Sequence, residues 1–303
     1  MPFILPSISM HDGFEDTLKA IRTDMDRTDD DIPSTEPEIK SESESNSEVV
    51  CNVPTEPKTK KAFPNDTKQR KLFNNLENLT NAVLTGEQTS LLITGDSGVG
   101  KSYIVKSVAE DKFNTDGIET IKGFTTTKAM YNTLADAEMS NKSVVIFDDC
   151  DSVFKTTDSS NLIKGILDTD KVRKVNYGTQ NSFDPTGMSK GEYKKLRDSG
   201  RSPSYINFTK KVIFISNLPT TKIEKAILSR TMNIDISLTH AEVIERLRDV
   251  MEYIEPETSM DVKNDVLNYI ESCSEVSLNM HSFVKAIRIA NTTTDWKSIM
   301  RYL

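Results

Sequence analysis

The residues whose types and spacing could do chemistry are concentrated between Thr89 and Ser102, in TSLLITGDSGVGKS. Gly95, Asp96, Ser97, Gly98, Val99, Gly100, Lys101 and Ser102 follow the G-x-x-x-x-G-K-[ST] spacing of a phosphate-binding loop. Glycines at these positions let the backbone turn tightly and aim its N–H groups at phosphate oxygens. A helix opening near Lys101 adds the positive end of its dipole. Lys101 is expected to reach the β- and γ-phosphates of a nucleotide, and the Ser102 hydroxyl to ligate magnesium. The elements that must position these groups are legible on either side. Leu91, Leu92 and Ile93 supply a buried strand before the loop, and a helical pattern follows it.

Composition sets the bounds. A chain of 303 residues holds one large or two modest domains. Its net charge of −8 is uneven: residues 1–57 carry fourteen acids against four bases, which leaves the remaining 246 residues close to neutral. Cys51, Cys150 and Cys273 are odd in number and lack C-x-x-C spacing, which argues against a disulfide framework or a zinc site. The start, MPFILPSISM, has neither the basic region nor the long apolar core of a secretory leader. No apolar run reaches membrane-spanning length. The expectation is a soluble cytoplasmic protein (host cytosol if viral) with no membrane partner.

Along the chain, Phe14, Leu18, Ile21 and Met25 are spaced for a short amphipathic helix over residues 14–27. The segment after it is too rich in Asp, Glu, Ser and Pro to bury a core, so residues 1–60 read as an acidic, largely disordered tail. Leu72, Leu76, Leu79 and Val83 predict a helix ending at Gly86. Strands are predicted at GIETIKG, SVVIFDDCD, KKVIFISN and MNIDIS, with helices at TTTKAMYNTLADAEM and over residues 159–168. Strands alternating with helices indicate a parallel α/β sheet wound on both faces. From about Leu238 only helical patterns remain. The predicted order is a nucleotide-binding domain over 61–237 and a small all-helical lid over 238–303.

In this order the motifs resemble the AAA+ ATPases, over roughly residues 65–290. Val144-Val-Ile-Phe-Asp-Asp149 looks like that family's Walker B strand. The resemblance implies that Asp148 holds magnesium and that Asp149 activates the attacking water, where the family commonly has Glu; Asp151 is a weaker candidate. Val212-Ile-Phe-Ile-Ser-Asn217 looks like sensor 1, with Asn217 positioning the lytic water. Ile227-Leu-Ser-Arg230 implies an arginine finger, which requires an oligomer, expected as a hexameric ring. The match fails at sensor 2, where the corresponding stretch offers His281 and, two turns on, Arg288. ATP with Mg2+ is the implied pair of cofactors.

The polymer acted on is read from two features. Only about one helix fits between the second strand and Walker B, and Phe124 is the one aromatic placed for a pore loop; a buried Phe is expected there. Residues 171–211 form a long insertion with ten bases and three acids, in which VRKVNYG and SYINF are spaced as two arms of a β-hairpin. Lys171, Arg173, Lys174, Lys194, Lys195 and Arg197 are the candidate phosphate contacts, and Tyr177, Phe183 or Tyr205 could stack on bases. A solvated lysine-rich loop is the plain alternative. The leading expectation is a phage-type, ATP-driven motor or loader acting on nucleic acid in replication or recombination, with DNA as the expected partner. The alternatives are a superfamily three viral-type helicase, a protein-remodelling ATPase whose tail recruits a protein partner, and a nucleotide-switched scaffold.

Overall fold

The structure is a computed structural model and describes residues 67–86, 88–272 and 278–300. They belong to the second of two compact units, Ala62–Leu303. The acidic tail, the helix expected over residues 14–27, Cys51 and Cys273 lie outside the described residues.

Helix α1 (Lys68–Thr85) leads into β1 (Ser90–Gly95), α2 (Lys101–Phe113), β2 (Ile118–Lys122), α3 (Thr127–Met139), β3 (Val144–Asp148) and α4 (Thr157–Ile166). An insertion follows, made of β4 (Arg173–Asn176), β5 (Ser182–Phe183), α5 (Lys190–Asp198), β6 (Ser202–Pro203) and β7 (Tyr205–Phe208). The chain then returns through β8 (Lys211–Ile215), α6 (Lys225–Leu228) and β9 (Met232–Ile236). Five strands form one parallel sheet in the order β2-β3-β8-β1-β9.

The central strands are apolar throughout because both faces of the sheet are covered. Period-two alternation divides each strand between two cores. Leu92, Val145, Phe147, Val212 and Phe214 face one core, built with α3 and α4. Leu91, Ile93, Val144, Ile146, Ile213 and Ile215 face the other, built with α1 and α2. Phe147 stacks on Phe214 at 5.0 Å between ring centroids. Truncating either to Ala would cost about 3–5 kcal/mol, enough to threaten a domain of ordinary stability.

The insertion contains the expected hairpin. β4 pairs antiparallel with β7, from Arg173 opposite Phe208 to Asn176 opposite Tyr205. Val175, Ile206 and Phe208 sink into the α3/α4 core, so the hairpin base is part of the fold rather than an appended loop. At its tip α5 opens on a reciprocal cap between Ser189 and Glu192.

Past β9, α7 (His240–Val250), α8 (Met260–Ser272), α9 (Met280–Thr292) and α10 (Trp296–Ile299) share a third core around Leu247, Val266, Phe283, Ile287 and Trp296. Polar ties join this bundle to α1 and to the loop after β1. The Asp249 carboxylate accepts bonds from Gln69 (2.7 Å) and from both ends of the Arg70 guanidinium, and the Met280 N–H donates to the Gly98 carbonyl at 2.7 Å.

One expectation is corrected. Phe124 is not buried but 82 % exposed. It stands in the turn after edge strand β2, where Gly123 takes a positive φ of 78°. Reciprocal bonds between Thr125 and the Ser152 hydroxyl hold the base of that turn.

Candidate nucleotide-hydrolysis site

The loop after β1 can only be built with glycine at its first position. Gly95 adopts φ +122°, and a Cβ there would sit 2.2 Å from the Ile236 carbonyl oxygen. Gly100 takes φ 100° and caps α2 without a side chain, so the first N–H groups of that helix are left for a ligand. Lys101 is buried at 4 % exposure. Its ammonium donates to the carbonyls of Gly95 (2.8 Å) and Asp96 (2.6 Å) and to Asn217 Oδ1 (3.0 Å). Burial pulls the Lys101 pKa below its ordinary value, against the opposing pull of Asp149, Asp96, Asp151 and Asp148.

Asp148 closes β3 and is 1 % exposed. Its Oδ1 accepts from the Ser102 hydroxyl at 2.5 Å, and its Oδ2 from Lys106 at 2.8 Å, with the Lys122 ammonium 3.4 Å away. Burial works against the ionised form, but bonds from Lys106 and Ser102 and the two lysine charges outweigh it and hold the carboxyl below its usual range. Ser102 and Asp148 thus present two hard oxygens side by side. That donor set fits magnesium, which takes one or two protein oxygens and completes its shell with phosphate and water.

Sheet order then explains Asn217. β8 lies between β1 and β3, so a residue at its tip has the phosphate loop on one side and the acids on the other. The Asn217 amide accepts from Lys101 and donates to Asp149 Oδ1 at 2.8 Å. Asp149 reaches that amide from a left-handed backbone, φ 58°, which few non-glycine residues adopt and which is met most often at working sites. Asp151 has a different place: its Oδ1 accepts from the Ser216 hydroxyl (2.6 Å) and the Asn217 N–H (3.3 Å), fixing the sensor strand tip from behind. Lys101, Ser102, Asp148, Asp149 and Asn217 are therefore brought together.

The remaining expected residues separate. Arg230 is exposed after α6, its guanidinium donating to the Ala226 carbonyl at 2.8 Å. His281 stands beside Gly98, with its Cδ2 3.0 Å from where a Cβ on that glycine would be, while Arg288 is paired with Glu255. Within the insertion, Lys174 lies over the Tyr205 ring at 4.7 Å, and Lys194 and Lys195 are exposed on α5. Three candidates for nucleic-acid contact are committed elsewhere. Arg173 is 2 % exposed and donates to the carbonyls of Phe208, Ile166 and Lys210, its pKa pulled to about 10 by burial. Tyr177 stacks on Tyr131 at 4.7 Å, and Arg197 forks onto Asp136 at 2.7 and 2.8 Å.

Lys106 and Lys122 are the site residues that motif reading missed. The signal for Lys106 was present: it follows Ser102 by four residues and so shares its helix face. No spacing rule points to Lys122, which arrives through β2.

Known proteins were then compared with the chain. Two family models match: the ATPase family associated with various cellular activities (AAA) over residues 91–238, and microtubule binding over residues 20–153. Among curated proteins, an uncharacterised 36.7 kDa protein of enterobacteria phage T4 is 30% identical over 199 residues, covering 61% of this chain and 56% of the relative. The chain thus spans little more than half the length of that relative. Among solved structures, a variant of RuvB from Thermotoga maritima aligns at 12% identity with a TM-score of 0.48, over 77% of this chain and 69% of that one. NtrX from Brucella abortus, solved with ATP, aligns at 12% identity with a TM-score of 0.46, over 75% and 51%. Both family models include the phosphate loop and β3, but only the AAA model extends through β8, Asn217 and Arg230 to the end of β9. That stretch contains every strand tip from which the site is assembled, and over residues 91–238 the chain is similar to the AAA family of ATPases.

Proposed function

We propose that this ATPase hydrolyses ATP at the Lys101–Asn217–Asp149 cluster and works as an oligomer on nucleic acid. The observation that carries the catalytic part is the continuous contact from Lys101 through Asn217 to Asp149. The phosphate loop binds the triphosphate through backbone N–H groups, and the Lys101 ammonium exchanges its carbonyl partners for phosphate oxygens. Ser102 and Asp148 would hold magnesium, which supplies positive charge to the β- and γ-phosphate oxygens when bound. Asp149, steadied by the Asn217 amide, orients the attacking water and receives its proton. Arg230, exposed near the sheet edge, acts on the nucleotide of a neighbouring protomer, and residues 238–303 serve as a lid over the loop.

For the polymer, the exposed lysines 174, 194 and 195 support nucleic acid, although the burial of Arg173 and the pairing of Arg197 reduce the charge available. The exposed ring of Phe124 favours a second reading, in which the turn after β2 grips an unfolded polypeptide. Steady-state ATP hydrolysis at low salt separates the two. It is run alone, with single-stranded DNA, with duplex DNA and with an unfolded protein, with Lys101→Ala as the blank. Several-fold stimulation by DNA that fades as salt rises supports the first reading. Stimulation by the unfolded protein alone, lost in Phe124→Ala, overturns it in favour of the second.

A further inference from the structure

Two lysines occupy the carboxylate assigned to the metal. Lys106 comes from α2, one turn past Ser102, and Lys122 from the last residue of β2; both ammonium groups face Asp148 Oδ2, at 2.8 and 3.4 Å. The Asp148 side chain is 2 % exposed, so its charge is answered by these two groups and the Ser102 hydroxyl rather than by water. Two ammonium groups beside one carboxylate weaken the negative potential that this carboxylate can offer a dication. Like charges within a few ångströms repel strongly in a partly buried site. Both ammonium groups lie at Oδ2 while Ser102 lies at Oδ1, so lysine and metal compete for the charge of one carboxylate.

We propose that Lys106, backed by Lys122, is a resident cation on Asp148 that competes with magnesium for the charge of that carboxylate. This inference rests on the reading of Asp148 as the metal ligand. With nucleotide but no metal, Lys106 stays on Asp148 and adds positive charge beside the triphosphate. A dication held by Ser102 and Asp148 would meet the Lys106 ammonium on the same carboxylate, and that repulsion opposes its entry. Magnesium therefore improves nucleotide affinity less than it would at a site without the lysine. Lys122 has the same effect in weaker form, since it is farther away and its side chain is 66 % exposed.

The test is the ratio of affinities for a fluorescent ATP analogue, measured with saturating Mg2+ and in EDTA. In Lys106→Met, which keeps the apolar stem, the ratio is expected to rise about tenfold or more over the unsubstituted protein. Lys106→Arg should stay near the original ratio, and Lys122→Met should raise it about twofold to threefold. Asp148→Asn should bring it close to one. A ratio unchanged in Lys106→Met while Asp148→Asn abolishes it overturns the resident-cation proposal and leaves the metal assignment standing. A ratio that survives Asp148→Asn overturns the metal assignment itself. Should Lys106→Met fail to fold, Lys122→Met and Lys106→Arg decide: an unchanged ratio in the first, or a raised one in the second, refutes the proposal.

Discussion

Lys101 and Arg173 invite comparison because their surroundings are nearly alike on paper. Each is a buried cation, 4 % and 2 % exposed, and each donates to three oxygens, all of them carbonyls. They differ in what those oxygens do. The acceptors of Arg173 are backbone carbonyls at the end of α4 and the exit of the hairpin, so the guanidinium staples two elements and has no partner it can give up. Lys101 bonds the carbonyls of Gly95 and Asp96 in the loop, has four aspartates nearby, and in the proposed function exchanges a carbonyl for a phosphate oxygen. Burial and a full set of hydrogen bonds therefore do not separate a working cation from a structural one. The useful question is whether its partners can be replaced.

Four variants sharpen or break that contrast. The largest effect is expected from Lys101→Ala, which should weaken nucleotide binding by about a hundredfold or more and remove hydrolysis, with the melting temperature little changed. Binding of a fluorescent ATP analogue measures it; retained affinity would put the nucleotide elsewhere. Next is Arg173→Met, expected to cost about 3 kcal/mol of stability by leaving buried carbonyls without a donor. Urea unfolding reads the loss directly. If the variant is as stable as the parent but binds DNA poorly, the structural role assigned to Arg173 is wrong.

Asn217→Ala should lower kcat by about tenfold to a hundredfold while nucleotide affinity moves little, because the amide is proposed to steady Asp149 rather than to bind phosphate. Single-turnover hydrolysis at saturating ATP distinguishes the two effects. The smallest change is expected from the pair Lys194→Ala and Lys195→Ala. Stability should stay within about 0.5 kcal/mol. The salt dependence of single-stranded DNA binding should flatten by about 0.7 per lysine. A slope identical to that of the unsubstituted protein would remove α5 from the proposed nucleic-acid surface.

Much of this molecule was determined by its sequence alone. The glycine and lysine spacing from Gly95 to Ser102 has few uses besides phosphate binding, and the apolar runs at Leu91, Val144 and Val212 are too short and too continuous for anything but buried parallel strands. The hairpin arms were legible as well, since their alternation has the period of a strand. The order of strands across the sheet was not, because a chain records succession and not adjacency. Only the placement of β8 between β1 and β3 lets one asparagine touch both Lys101 and Asp149. The fate of individual charges was likewise a tertiary matter. Arg173 and Lys174 are neighbours in sequence, yet alternation along β4 sends the first into the core and leaves the second outside. Phe124 looked like core by residue type and is exposed because the turn that carries it leaves an uncovered sheet edge. Lys122 came to Asp148 from a separate strand, through a pairing of β2 with β3 that no local spacing encodes.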